Sequence, residues 1–261
     1  MKKRRNTKKR RRIVLIIKSS VLIIAFCIMF SFITEKTTFP TPSHPTNETA
    51  RKTSSKSNII PLHGLSQEGI PTGCESVSTV ATLQYHGVNI TIDEFINNFL
   101  PCQKFYRKDG MVYGANPQEY FAGDPYETAS LGCYPNVILK ALNEMKKSNY
   151  SGTDNLYFQD VSGADLNSLV TEYIDKQIPV ILWITIDMKK PYNGMQYYLE
   201  DGSLYTWTAQ EHCTVLCGYD DISYYIMDPL ADGEIVVYPK SLVEQRYNEL
   251  GKYALVITPS F

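Results

Sequence analysis

The chain has few histidines, and they are not spaced as metal ligands. Only four occur in 261 residues, and neither His-x-x-x-His nor Cys-x-x-Cys is present. Tetrahedral zinc sites use such pairs, so we expect no zinc site and no other cofactor. The scarcity also narrows the choice of a general base. His44 lies in a polar segment, His63 in a loop and His86 at the end of a predicted helix, which leaves His212 at the start of a predicted strand.

Cysteines are too few to predict a disulfide framework. One of the six, Cys27, lies in an apolar stretch near the N-terminus, and an odd number remains beyond it. A bridge between Cys102 and Cys133 stays open. Cys213 and Cys217 are four residues apart on one predicted strand, so they share a face about 13 Å apart and do not pair. Both are typical of small buried hydrophobic residues.

The N-terminal segment predicts a membrane anchor. Residues 1–12 contain nine Lys or Arg, and residues 13–33 are almost wholly apolar. About 20 such residues span a bilayer as a helix, and the preceding positive charge favours a cytoplasmic N-terminus. The apolar stretch is long and is not followed by the small residues of a cleavage site, so we expect a retained signal anchor rather than a cleaved signal peptide.

After residue 33, the sequence predicts a polar linker and one acidic domain. Residues 34–58 are rich in Thr, Ser, Pro and Asn and predict a flexible extracellular linker. Residues 59–261 are long enough for one domain with its own core. Ten of the 26 basic residues lie in residues 1–34, which leaves 16 against 27 acidic residues. Such an acidic domain is not expected to bind nucleic acid.

Hydrophobic periodicity in the domain predicts an α+β fold. Helices come first and an antiparallel sheet follows. The predicted helices cover residues 74–85, 91–100, 135–147, 162–176 and 240–249, and the predicted strands cover residues 178–186, 212–219, 223–228, 234–238 and 253–258. Residues 101–134 show little periodicity and could form a substrate-binding wall. The Tyr-rich segment 192–207 is a candidate lid.

Cys74 is the candidate nucleophile. It follows Pro71 and Gly73 and begins a predicted helix. Unpaired N–H groups and the helix dipole at such a position stabilise a thiolate, which is the reactive form of cysteine. The alternative is a buried cysteine that happens to begin a helix.

Three other residues complete a catalytic set. His212 can serve as general base. Asp228 ends the next predicted strand, which a short turn joins to the strand of His212. The Asp228 carboxylate can therefore orient the histidine. Gln67, seven residues before Cys74, can donate an amide hydrogen to the oxyanion of a tetrahedral intermediate, with the Cys74 backbone N–H as second donor.

These residues stand in motifs that resemble a known family. The motifs run from Gln67 and Pro71-Thr72-Gly73-Cys74-Glu75 through Phe121-x-Gly123-Asp124-Pro125 and Gly132-Cys133-Tyr134 to Glu211-His212, Gly218-Tyr219-Asp220 and Asp228-Pro229. Over residues 60–258 the chain resembles the C39-like, papain-fold cysteine peptidases, which are related to the double-glycine-leader bacteriocin-processing peptidases. The resemblance implies a papain-like fold, with N-terminal helices packed on a C-terminal antiparallel sheet. It also implies Cys74 as nucleophile, His212 as base, Asp228 as orienting residue and Gln67 in the oxyanion hole.

The sequence therefore predicts a single-pass protein of a Gram-positive-type cell surface, with an extracellular cysteine peptidase domain acting on a peptide or protein. Two alternatives remain. One is a surface binding module without turnover on the same fold. The other is another thiol acyl-transfer enzyme, such as an amidase or a transpeptidase.

Overall fold

The computed structural model describes residues 57–260. The predicted basic segment, the anchor of residues 13–33 and nearly all of the linker lie outside this range. Within residues 57–260, no helix is long and apolar enough to cross a membrane.

Residues 57–260 contain five α-helices, and most begin and end close to their sequence signals. They are α1 (Cys74–Tyr85), α2 (Ile92–Asn98), α3 (Pro135–Lys147), α4 (Leu166–Glu172) and α5 (Lys240–Leu250), with 3-10 turns at Ile174–Lys176, Ile186–Met188 and Pro229–Ala231. Helices α1 and α3 have the predicted bounds. At α2, Thr91 and Glu94 form a capping box, because the Thr91 hydroxyl accepts from the Glu94 N–H and the Glu94 carboxylate accepts from the Thr91 N–H.

The helix predicted over residues 162–176 is shorter than expected. Gly163 has a positive φ of 89°, which no right-handed helix allows. Helix α4 therefore begins only at Leu166, and after Glu172 the chain continues as a 3-10 turn.

Thirteen strands are present in residues 57–260. They are β1 (Asn58–Ile59), β2 (Cys102–Gln103), β3 (Tyr106–Lys108), β4 (Met111–Tyr113), β5 (Phe121–Ala122), β6 (Leu156–Asp160), β7 (Val180–Thr185), β8 (Tyr192–Tyr198), β9 (Leu204–Ala209), β10 (Glu211–Tyr219), β11 (Ser223–Met227), β12 (Ile235–Pro239) and β13 (Ala254–Pro259). Seven form an antiparallel sheet in the order β12-β11-β10-β7-β13-β6, with β1 paired to β10. The predicted α+β class with an antiparallel sheet is confirmed.

A second sheet occupies the segments predicted to be irregular or a lid. It has the order β3-β4-β8-β9, and a short parallel pair joins β2 to β5. The expectation of an unstructured segment over residues 101–134 is therefore wrong in part. Strands of two or three residues are too short to give a periodic signal, and β4 is paired with β8 from far along the chain.

The core lies on both faces of the seven-stranded sheet. On one face, α1, α2 and α3 pack against a cluster that includes Ile181, Trp183 and Cys213. On the other face, α4 and α5 pack against a cluster that includes Leu182 and Cys217. Cys213 and Cys217 thus lie in different clusters instead of sharing a face, because the register shifts between Leu216 and Gly218 in β10.

Candidate active site

Cys74 is the first residue of α1, and its position depends on the glycine before it. A Cβ at Gly73 would lie 2.3 Å from the Ile70 side chain, so the tight turn into the helix requires glycine there. The first N–H groups of a helix have no partner within it. The Cys74 N–H is one of these groups, so it is placed to serve as a donor at the helix start. A hydrogen bond links α1 to β10, since the Ser78 hydroxyl donates to the Cys213 carbonyl at 3.1 Å.

The Cys74 sulfur is buried and points toward a carboxyl group. Its Sγ donates to Oε2 of Glu75 at 3.4 Å and accepts from the backbone N–H of Cys213, also at 3.4 Å. Burial first, and then the charges of Glu75 and Glu211, raise the pKa of the Cys74 thiol well above its usual value. The thiolate expected from the helix N-terminus alone is thus not favoured in this conformation, because burial and two carboxyls oppose it.

His212 and Asp228 are in direct contact. Nε2 of His212 lies 2.7 Å from Oδ1 of Asp228, and both side chains are almost fully buried. The hairpin of β10 and β11 brings them together, since Val215 of β10 pairs with Met227, the last residue of β11, and Asp228 follows directly. The prediction that Asp228 lies beside His212 across this turn is confirmed as geometry. Because Nε2 makes this contact, Nδ1 is the ring nitrogen of His212 that can act as a base.

Cys74 and His212 are neighbours without a hydrogen bond. The sulfur contacts the backbone of Cys213, the residue after His212. The hydrogen bonds of Cys74 Sγ within residues 57–260 go to Glu75 and Cys213, and none goes to the imidazole. The structure therefore joins the predicted base to its carboxylate, and it leaves the predicted nucleophile turned toward Glu75.

Gln67 lies beside the turn that follows Asp228. Its backbone N–H donates to the Pro229 carbonyl at 3.1 Å. Its side-chain Nε2 donates to the Pro71 carbonyl at 3.4 Å, and its buried Oε1 has no partner within residues 57–260. The backbones of the same two loops also approach each other closely at Gly64 and Gly233, since a Cβ at Gly64 would lie 1.8 Å from the Gly233 carbonyl oxygen.

Two buried glutamates border the site, and neither is among the residues that the sequence predicts to act in catalysis. Glu75 is fully buried and accepts the Cys133 backbone N–H at 2.6 Å. Glu211 is 8% exposed, and its Oε1 has no partner within residues 57–260. Both residues stand in motifs, directly after Cys74 and directly before His212. That adjacency is the one sequence signal that could have marked them.

A surface cavity of about 360 Å³ lies on the second sheet, and it includes neither Cys74 nor His212. Its apolar lining comes from Phe105, Val112 and Met195. The cavity is linked to the start of α1, since the Thr72 hydroxyl donates to the carbonyl of Glu127, another lining residue, at 3.3 Å. Part of the segment predicted to form a substrate wall therefore does line a cavity.

All five cysteines within residues 57–260 are free thiols. Cys102 is exposed and Cys133 is buried, so the bridge left open by the sequence is not formed. In the same range, no group of three or more His, Cys, Asp or Glu side chains is arranged to hold a metal ion.

Comparison with known proteins places the chain in a family. A family model described as the Peptidase_C39-like family matches residues 59–255. This chain belongs to the C39-like peptidase family. The C39-like domain is similar to the crystal structure of a candidate C39-like peptidase from Bacillus anthracis, with 25% identity and a TM-score of 0.64 over 78% of this chain and 98% of that one. No curated protein matches the chain. Family and fold together indicate a cysteine peptidase.

Proposed function

We propose that the C39-like domain hydrolyses peptide bonds, with Cys74 as nucleophile, His212 as general base and Asp228 as the residue that orients His212. The contact of His212 Nε2 with Asp228 Oδ1 carries this proposal. It occupies one ring nitrogen and leaves Nδ1 as the base for the thiol. Cys74 Sγ lies against the backbone N–H of Cys213, the residue after His212, and the proposal requires the sulfur to turn from Glu75 to the imidazole.

The proposed reaction has two halves. Cys74 gives its thiol proton to Nδ1 of His212, and the sulfur attacks the peptide carbonyl carbon. The tetrahedral oxyanion receives hydrogen bonds from the Cys74 N–H and from Nε2 of Gln67. The C–N bond then breaks, and Nδ1 returns the proton to the leaving amine. Water attacks the thioester, passes a proton to Nδ1 and releases the acid, after which the thiol is restored.

The substrate is proposed to run along the second sheet. The cavity lined by Phe105, Val112 and Met195 is linked to the Cys74 loop through Thr72. Its apolar lining suits an apolar side chain of the peptide, and its rim carries Lys104 and Glu127, which are ion-paired to each other. We therefore propose a protein or peptide with a large apolar side chain near the scissile bond.

Hydrolysis is tested with the purified full chain and a mixed peptide library read by mass spectrometry. We expect Cys74→Ala and His212→Ala each to lower the cleavage rate by on the order of 10³-fold or more. Gln67→Ala is expected to cost on the order of 10²-fold, as does loss of one oxyanion donor. Cys102→Ala and His63→Ala, at an exposed thiol and an exposed imidazole, are the matched controls and should be unchanged. Cleavage that survives Cys74→Ala would reject the proposal.

A binding module without turnover is the second candidate, favoured by the hydrogen bond of Cys74 to Glu75 instead of His212. If no peptide of the library is cleaved, retention of intact peptides that is unchanged by Cys74→Ala supports this candidate. A transpeptidase or amidase would instead be recognised by transfer to an added amine or by release of ammonia, both lost with Cys74→Ala.

The anchor predicted over residues 13–33 leads to a proposal on location. We propose that it holds the protein in the cell membrane with the C39-like domain outside. Treatment of intact cells with an external protease should then remove the domain while leaving a cytoplasmic marker intact. Protection of the domain until the cells are lysed would contradict this orientation.

A further inference from the structure

The two buried carboxyls beside Cys74 lack a cation. Glu75 and Glu211 make no ion pair with any Lys, Arg or His within residues 57–260. A buried carboxylate without a cation is costly unless it is protonated or hydrogen-bonded. Glu75 accepts from the Cys133 N–H and from the Cys74 S–H, whereas one oxygen of Glu211 has no donor within residues 57–260.

Both carboxyls face the same point of the backbone. A Cβ at Gly132 would lie 2.4 Å from Oε1 of Glu75 and 3.3 Å from Oε2 of Glu211. Two carboxylates so close together in a dry site do not both ionise at neutral pH. Burial and this proximity therefore both favour a proton on the pair.

The other titratable groups around the pair are thiols and phenols, which are neutral at physiological pH. They come from α1, β2, the chain before α3, the second sheet and β10. They are Cys74, Cys133, Cys213, Cys102, Tyr134 and Tyr205. His212 also follows Glu211 on β10, and its partner Asp228 lies just after β11. Of the pair and these groups, Glu75 is the one whose charge lies in hydrogen-bond contact with the Cys74 sulfur.

We propose that Glu75 is a positioning residue of the candidate active site. With Glu211 it holds Cys74 as a resting thiol turned away from His212, and it releases the sulfur when the carboxyl pair takes up a proton. This inference rests on the proposed function, in which Cys74 is the nucleophile. It assigns a role to two residues that stand outside the Cys, His, Asp and Gln set.

The charge of Glu75 explains how its protonation would release the Cys74 sulfur. An ionised Glu75 accepts the S–H hydrogen bond and opposes a thiolate, because two like charges would then lie 3.4 Å apart. A neutral Glu75 removes that repulsion, so the proton of Cys74 can pass to Nδ1 of His212. Burial raises the pKa of Glu75 to about 7, and burial and the Glu75 charge raise the pKa of Glu211 well above its usual value. The change therefore falls in the physiological range.

The test measures the alkylation rate of Cys74 by iodoacetamide in the full chain, from about pH 5 to 9, with the modified peptide identified by mass spectrometry. At about pH 5.5 we expect the wild type and Glu75→Gln to react alike, since Glu75 is protonated in the wild type. Near pH 8 the Glu75→Gln protein should react about tenfold faster or more, which corresponds to one pKa unit. Glu211→Gln should act in the same direction with a smaller effect. Glu144→Gln, at an exposed position on α3, is the control and should match the wild type.

A Glu75→Gln rate that equals the wild-type rate at every pH, or that differs by one constant factor, would overturn the inference. If Glu75→Gln does not fold, the wild type itself provides the test. Carbon-13 NMR of labelled Glu75 should show its titration midpoint rise after Cys74 is alkylated, because the S–H donor that lowers the Glu75 pKa is then lost. An unchanged midpoint would also overturn the inference.

The two proposals fail in different ways. If the alkylation rate of Cys74 depends on Glu75 but no peptide cleavage depends on Cys74, the hydrolase proposal is rejected and the coupling between Glu75 and the Cys74 thiol stands. Peptide cleavage that needs Cys74, with an alkylation profile unaffected by Glu75→Gln, would reject only the coupling.

Discussion

Oδ1 of Asp228 accepts a hydrogen bond from His212 Nε2 at 2.7 Å and a second from the backbone N–H of Leu230 at 2.8 Å. One oxygen thus both begins the 3-10 turn after β11 and orients the imidazole. Burial alone would raise the pKa of Asp228, but the contact with His212 and the N–H groups of Leu230 and Ala231 hold it below the usual value. The carboxylate is therefore ionised at neutral pH, where it can stabilise an imidazolium.

Substitution of Asp228 should separate orientation from charge. Asp228→Ala removes the acceptor and should lower kcat/KM by on the order of 10²-fold or more. Asp228→Asn keeps an acceptor oxygen and loses the charge, so a loss of about tenfold is expected. Both values come from initial rates on a peptide identified in the library, with Asp201→Asn in an exposed turn as control. Equal losses for Ala and Asn would contradict the orienting role.

The stability of the domain should fall as the pH rises from about 4.5 to 7. Folding raises the pKa of Glu75 from 4.5 to about 7, so the folded state binds a proton that the unfolded state has already lost. That contribution to stability is present at low pH and is lost as the pH rises through this window. For a group this deeply buried, the loss amounts to about 3 kcal/mol at most.

Urea unfolding of the full chain at a series of pH values measures this effect. Glu75→Gln should flatten the decline, and Glu144→Gln should leave it in place. A decline of the same size in both variants would assign the effect to other groups.

The capping box of α2 should contribute a measurable share of stability. Thr91→Ala leaves the Glu94 N–H without its acceptor, and loss of such a cap costs about 1 kcal/mol. In a domain of this size that corresponds to a decrease in Tm of about 2–4 °C. Thr171→Ala, in α4, where the exposed hydroxyl bonds only to the Asn167 carbonyl, is the comparison. A Tm decrease no larger than that of Thr171→Ala would show that the box is not needed.

Gly132→Ala should disturb the carboxyl pair directly. The added Cβ would meet Oε1 of Glu75 at 2.4 Å, and such overpacking costs about 1–3 kcal/mol. Gly69→Ala adds a Cβ with no atom within 4 Å, at a φ of +80°, and should cost about 1 kcal/mol. We further expect only the first variant to change the alkylation profile of Cys74. Identical profiles would show that the pair tolerates a side chain at position 132.

The sequence was most informative where one local signal determines the structure. Gly73 before Cys74 and Pro135 at the first helical position define the starts of α1 and α3 to the residue. The continuous apolar run around Trp183 predicts the buried strand β7. The short Asp220-Asp221 turn was enough to predict that Asp228 lies beside His212.

Long-range pairing and burial of charge are what the sequence does not show. Strands β8 and β9 have mixed exposure and a register shift between Asn193 and Gln196, so they lack a clean alternation. The paired glutamates were missed for another reason. An acidic residue in the first turn of a helix is favoured by the helix dipole on the surface, and nothing local shows that Glu75 is fully buried against Cys133.

The Gly64–Gly233 contact packs the loop before α1 against the turn after β11. With two backbones this close, and with the Gln67 N–H bonded to the Pro229 carbonyl, the segments that carry Gln67 and Asp228 cannot separate without breaking these contacts. The spacing of these two predicted site residues is therefore set by backbone packing and not by the side chains alone.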